Sequence, residues 1–438
     1  MCILVGMDHA HPYIPNSVPE VRAAMLVSVG AVDVEEFYAD IPADLRLHRP
    51  LLLPEPMRSE AELVRHVGGL LDRNVDGLSF LGGGCYPHHV PAVCDEVNGR
   101  AEFLTAYAGE PYEDHGRFQA LWEYQSLMGE LLELDVVNVP TYDGYQAAAT
   151  SIRMAGRVTG RSKVLLGGPV SPDKLSKITD YLRGAMTFTD ALDEDTACVF
   201  LEYPNHHGVI DVEAPTLVAA AHAAGALAVV SCNPMALGVL ASPASFGADI
   251  VCGDIQPLGM HMQYGGGQAG FIATRDDERL VMEFPSRLFG LVPTVVDGEY
   301  GFGDVAYDRT SFGVREEGKE WVGTAAALWG ITAGVYLSLM GPTGMREIGS
   351  TIMARTAYAM RLLGAIPGVT LPNADDPHFC EFVVEFVRPV GEILDALRDR
   401  GIFAGLPLDG HRALVCVTEV HTQADIELLA ASVREVLA

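Results

Sequence analysis

Four consecutive segments, ACVFLEYP (197–204), APTLVAAAHAAG (214–225), ALAVVSC (226–232) and ADIVCGD (248–254), decide the fold class. The first, third and fourth are short apolar runs of strand length, and the second is an Ala-rich helical segment closed by Gly225. Such alternation of strand and helix builds a mostly parallel sheet covered on both faces. Upstream the same alternation continues. EAELVRHVGGLLDR (60–73) carries Leu63, Val64, Val67, Leu70 and Leu71 on one 3.6-period face, GLSFLGG follows as a short strand, and Phe118 to Leu132 repeats a helical face. The turn TYDG then enters an Ala-rich helix, and KVLLGG (163–168) reads as a strand.

The two ends differ from this middle. Residues 1–60 mix a helix at IPNSVPEVRAAML, entered through Ser17 and Pro19, with the extended Pro-rich ADIPADLRLHRPLLLPEP. A segment of that kind wraps over a neighbouring domain or subunit. After the helical WVGTAAALWGITAGVYLSLMG, the pattern becomes α+β: HFCEFVVEF, VGEILDALRDRG, ALVCVTEV and ADIELLAASVREVL. The expected division is an N-terminal arm at 1–60, a large α/β domain at 61–341 and a small α+β domain at 342–438.

Composition narrows the function. The 438 residues carry 29 Lys plus Arg against 58 Asp plus Glu, a net charge of −29, which repels nucleic-acid backbones and anionic membranes. No uninterrupted apolar stretch reaches the length of a membrane span, and the opening MCILVGMDHAHPY lacks a basic leader, so a cytosolic protein is expected. The eight Cys are scattered without a C-x-x-C pair, and they read as buried hydrophobes. His88 and His89, and His206 and His207, are adjacent and would face opposite ways on a strand, and neither these nor His9, His11 and His261 form an H-E-x-x-H or comparable metal-ligand spacing. No metal site is expected, and no G-x-S-x-G nucleophile is present.

The groups able to do chemistry lie in LGGGCYPHHVP (81–91), TYDGYQAAA (141–149), SCNPMALG (231–238), GDIQPLG (253–259) and MQYGGGQAGF (262–271), at strand ends where α/β sheets bind ligands. Taken together with HPYIPNSVPEVRAAML (11–26), DIPADLRLHRPLLLPEP (40–56), TAYAGEP, GRFQALWEYQSLM, FGADIVCGDIQPLGMHMQYGGGQAGFIATR (246–275) and VCVTEVHTQADIELL (415–429), they resemble glycine dehydrogenase (decarboxylating) subunit 1, in order and over nearly the whole chain. The resemblance implies a fold-type I, aspartate aminotransferase-like large domain, of the kind that uses pyridoxal phosphate, around a seven-stranded sheet, with a smaller C-terminal domain.

That chemistry needs a Lys to hold the cofactor, a carboxylate opposite the pyridine nitrogen and donors for the phosphate. The chain has four lysines, Lys163, Lys174, Lys177 and Lys319, and none falls just after ADIVCGD and before the Gly-rich turn, where the resemblance places the Schiff-base residue; Gln256 stands there. Asn233 stands where the pyridine-nitrogen Asp is expected. By resemblance, the Lys and the pyridoxal phosphate belong to a homologous partner subunit, the two chains forming α2β2, with an amino acid as substrate and a lipoyl carrier protein as a further partner. This subunit closes the shared site, and Tyr86, His88, Tyr142 and Asp143 are the candidates to line it. Tyr142 and Asp143 suit a tight turn equally well, and His88 suits a buried carbonyl.

The sequence leaves the family pattern in two loops. PYEDHG puts Tyr112, Glu113, Asp114 and His115 where a PEISQG-like segment is usual, and Pro87 and His89 flank His88 in place of Asp and Tyr. RTSFGVREEGKEWVGTA (309–325) keeps Arg309 and Arg315 but replaces a Lys-Ala-Thr-Ser-Asn core and adds Glu316, Glu317 and Trp321. Two other readings stay open: a paralogue acting on a different amino acid, and a non-catalytic homodimeric scaffold or regulatory paralogue.

Overall fold

The computed structural model describes residues 13, 18–103, 115–319 and 326–438. The chain divides into two units, Met1–Asn74 and Val75–Ala438. In the first, helices span Pro19–Ser28 and Glu60–Leu71. Pro19 opens the first helix, but its cap is Val18, which makes no side-chain bond; Ser17 lies outside the described residues. None of the unit's described residues is buried, and Leu63, Val64, Val67, Leu70 and Leu71 stand 43–63% exposed. The helical face read from the sequence is therefore present, and its own unit offers it no core.

The second unit is built on a seven-stranded sheet among the described residues. In chain order its strands are β1 (Val136–Val137), β2 (Lys163–Leu166), β3 (Thr187–Thr189), β4 (Thr196–Tyr203), β5 (Leu227–Cys232), β6 (Ile250–Asp254) and β7 (Gly270–Thr274). Their spatial order is β1-β7-β6-β5-β4-β2-β3. Only β7 runs antiparallel to its neighbours, so β2 to β6 point their carboxyl ends to one edge. Along β4, Cys198 and Phe200 pack with Ala147, Ile152 and Ile178 on one face, while Val199 and Leu201 pack with Val218, Ala221 and Val230 on the other. That two-sided burial is why the strands read as unbroken apolar runs.

The helix Ala327–Gly364 is broken at Gly341, whose φ of 56° suits only glycine, just before Pro342, which has no N–H to give. Beyond it lies a four-stranded antiparallel sheet of Val369–Thr370, Glu381–Phe386, Arg412–Cys416 and Leu406–Pro407. Helices Val390–Arg398 and Gln423–Leu437 cover it, burying Ile393, Leu397, Ile426 and Leu429 against Phe382 and Val384. The strand Leu78–Ser79, read from the sequence as part of the large domain, pairs instead with Ile402–Phe403, because Phe80 is buried in this C-terminal core. The Gly-rich loop that follows therefore runs from the C-terminal layer to the carboxyl ends of the central strands. No helix among the described residues is long and apolar enough to cross a membrane.

Candidate functional site

The carboxyl ends of β4, β5 and β6 open into a cavity of about 80 Å³. Glu202, Ser231, Asn233 and Asp254 form its floor, Tyr145 and Lys174 one side, and Gly83, Tyr86 and Glu381 the roof.

Asp254 ends β6 and is an organising centre. Its Oδ2 accepts from Gly144 N at 2.8 Å, and its Oδ1 accepts from Gln256 N at 2.9 Å and Ala269 N at 3.3 Å. One carboxylate thus joins the start of the helix Gly144–Thr159, the turn after β6 and the entry to β7. Gly253 before it is required by packing, since a Cβ there would lie 2.2 Å from Cys232 O. Burial pushes the Asp254 carboxyl up to about 7 against the pull of those three N–H groups.

Lys174 arrives from the helix Pro172–Leu182, capped by Ser171 Oγ, which accepts from Lys174 N. Its ammonium donates to Glu202 and, at 3.2 Å, to Ser231 Oγ, and stands 5.3 Å from the centre of the Tyr145 ring. Burial alone would lower its pKa, but the Glu202 carboxylate outweighs this and raises it. The side chains are 12% and 9% exposed, so this is a buried ion pair.

Glu381 comes from the C-terminal sheet. Its Oε1 accepts from Gly83 N at 2.6 Å and its Oε2 from Tyr86 OH at 3.1 Å. Burial raises its carboxyl to about 7. The folded protein then keeps a proton that the unfolded chain gives up, so the stabilisation is full below the ordinary carboxyl pKa and is lost as pH rises through about 7. Glu381→Gln stays neutral throughout. Relative to the parent it should gain about 1–3 kcal/mol between about pH 5 and about pH 8. Urea midpoints at the two pH values measure this; an equal difference at both contradicts it.

Gln256 is fully buried and its amide is committed. Oε1 accepts from Tyr86 N at 3.0 Å, and Nε2 donates to Tyr86 O at 3.0 Å and Met260 O at 3.1 Å. It pins the Gly-rich loop across the end of β6.

Of the four residues singled out in the sequence, only Tyr86 lines the cavity. His88 is 1% exposed at its side chain, with Nδ1 2.8 Å from Glu419 Oε2, while His89 N donates to Glu419 Oε1. Burial would raise the Glu419 carboxyl, but these contacts bring it below the usual range. Tyr142 is 48% exposed and outside the cavity. Asp143 caps the helix Gly144–Thr159 by accepting from Gln146 N at 2.7 Å, and pairs with Lys177 at 2.9 Å. Removing both contacts in Asp143→Ala should lower stability by about 1 kcal/mol, read as a fall in Tm; an unchanged Tm contradicts the capping role.

The cavity also holds residues given no role from the sequence: Lys174, Glu202, Asp254 and Glu381. A Lys in the first turn of a helix that follows a strand was the available signal for Lys174. In the departing loop, Arg309 is buried and donates to the carbonyls of Phe284 and Ser286, while Arg315, Glu316 and Glu317 are exposed. Tyr112, Glu113, Asp114 and Trp321 lie outside the described residues, as does the His115 side chain.

The model of the glycine cleavage system P-protein family matches residues 11–433. The chain belongs to that family. It is 35% identical to "Probable glycine dehydrogenase (decarboxylating) subunit 1" of Aeropyrum pernix, over 96% of this chain and 97% of that one. The protein of the same description from Saccharolobus islandicus is 33% identical, with 98% of each chain covered. A crystal structure of glycine decarboxylase (P-protein) of the glycine cleavage system, in inhibitor-bound form, matches with a TM-score of 0.86 at 33% identity, over 98% of this chain and all of that one. A sphingosine-1-phosphate lyase from Burkholderia pseudomallei, at TM-score 0.65 and 16% identity over 91% of this chain and 94% of that one, shares the fold.

The P-protein family uses pyridoxal phosphate, and the residues at these strand ends do not fit it. Gln256 cannot form the covalent link, and its amide is already spent on backbone groups. Asn233 offers an amide whose Oδ1 accepts from Met235 N. The N–H groups of Gly144 and Gln146, at the helix start where a phosphate would sit, already donate to Asp254 and Asp143. Two carboxylates there repel a phosphate.

Proposed function

We propose that this chain is the non-lysine subunit of a pyridoxal-phosphate-dependent glycine decarboxylase, completing an active site carried by a homologous Lys-bearing subunit in an α2β2 assembly. The observation that carries the reading is the buried, fully hydrogen-bonded amide of Gln256, the residue that the family resemblance assigns to the position of the cofactor lysine. Family membership as a subunit 1 supports the partner. Tyr142, exposed at the start of the helix Gly144–Thr159, is the best placed of the candidate residues to face that partner. Tyr86, His88 and Asp143 act through the loops they hold. A lipoyl carrier protein is the proposed acceptor of the remaining aminomethyl group.

Exchange of labelled CO2 into the glycine carboxyl group tests this. The chain alone with pyridoxal phosphate should give none, and the chain mixed with its Lys-bearing homologue should give saturable exchange. Exchange by the chain alone overturns the reading. No exchange by the pair with glycine, but exchange with another amino acid, moves the substrate and keeps the architecture.

A further inference from the structure

We propose that a groove at the open edge of the seven-stranded sheet, beside β1, binds an aliphatic polyamine. It shares no residue with the strand-end cavity and does not depend on the decarboxylase reading.

Charge is the first argument. The helix His115–Leu132 turns directly into β1, with Leu134 N donating to Gly129 O at 3.0 Å and Glu133 N to Glu130 O at 3.4 Å. This turn brings Glu130, Glu133 and Asp135 together. Asp276, just past β7, joins them, its N–H donating to Asp135 Oδ2 at 3.0 Å. These four carboxylates are exposed and line the groove, and no Lys, Arg or His lines it. They also stand at the carboxyl end of a helix with no basic residue in its last turn, where the helix dipole is negative. Carboxylates there repel one another and the helix end, and a bound cation offsets both effects.

Gln125 is the second, independent argument. It is 8% exposed and lines the groove; its Nε2 donates to Val137 O on the open edge of β1, and its buried Oε1 meets no donor among the described residues. A buried acceptor of this kind calls for an N–H. Because the same amide occupies the edge carbonyl, the groove is not laid out for an added β-strand. The shape of the charge then decides between cations. No three acidic, His or Cys side chains among the described residues converge as a metal site would require, so the carboxylates are spread along the groove. Between them lies an apolar floor of Val136, Leu288 and Phe289, with Trp122 packed on Phe302 of the neighbouring hairpin, ring centres 5.4 Å apart. Cationic amines joined by methylene chains match that pattern: the N–H groups meet the carboxylates and Gln125, and the methylenes cover the floor.

The test uses the full chain with spermidine as the probe, in about 0.15 M salt to screen exposed charges separated by more than ~8 Å. Titration calorimetry should show one saturable site. Butylamine, with a single ammonium, and Mg²⁺, a compact dication, should bind at least about tenfold more weakly. Glu130→Gln/Glu133→Gln should weaken spermidine binding by about tenfold or more, whereas Glu194→Gln/Glu213→Gln, which removes the same charge elsewhere on the surface, should leave it unchanged. Gln125→Met keeps the length of the side chain without the acceptor and should weaken binding about threefold or more. If that variant fails to fold, the two exposed double variants decide. Absence of saturable binding, Mg²⁺ binding as tightly as spermidine, equal effects of the two double variants, or a folded Gln125→Met that binds unchanged, each overturns the proposal. So does a lysine-rich peptide that binds at least about tenfold more tightly than spermidine, since the groove would then be a docking site for a protein segment.

Discussion

Asp254→Ala should be among the most destabilising single substitutions in the central sheet, costing about 3–6 kcal/mol, or failing to yield folded protein. The figure follows from the three backbone N–H groups, of Gly144, Gln256 and Ala269, that the side chain satisfies in a buried setting. Each orphaned buried donor costs roughly 1–3 kcal/mol, with water entering the cavity offsetting part of the sum. Asp254→Asn is the discriminating companion. Its remaining oxygen can serve Gln256 and Ala269, while its NH2 faces the Gly144 N–H, so it should lose about 1–3 kcal/mol only. Urea unfolding of both variants measures the difference. Equal, small losses would show that the carboxylate does not organise these strand ends.

Lys174→Met is expected to cost about 3–5 kcal/mol, because it leaves Glu202 as a lone charge in a site where both side chains are nearly closed to solvent. The double variant Lys174→Met/Glu202→Leu should recover most of that loss, since the buried pair repays little beyond its own desolvation. A double-mutant cycle on unfolding free energies separates the two terms. If the double variant is as unstable as the single, the pair stabilises the fold by more than mutual neutralisation.

Much of this architecture is legible in the residues. The apolar runs of β4, β5 and β6 and their intervening helices announce a parallel sheet, because burial on both faces removes the need for polar alternation. Gln256 and Asn233 stand out through the family pattern, and the structure adds what the pattern cannot, namely where the Gln256 amide points. Asp143 before the Ala-rich helix is also readable as a cap, by residue type and place.

Lys174, Glu202 and Glu381 escape such reading because their meaning is tertiary. Glu381 lies in a strand whose alternation predicts only a partly buried position, and its partners Gly83 and Tyr86 are almost 300 residues away. Leu78–Ser79 misleads for the same reason: two residues of strand carry no signal of which sheet they join. The apolar face of Glu60–Leu71 is visible in sequence, but what covers it is not written in its own unit.

In the proposed assembly the cofactor lysine belongs to the partner subunit. Borohydride reduction of the assembled pair loaded with pyridoxal phosphate, followed by peptide mapping, tests it most directly. All pyridoxyl label is expected on a lysine of the partner subunit, and none on Lys163, Lys174, Lys177 or Lys319. Stoichiometric label on any of these four, Lys174 in the cavity above all, would contradict the account.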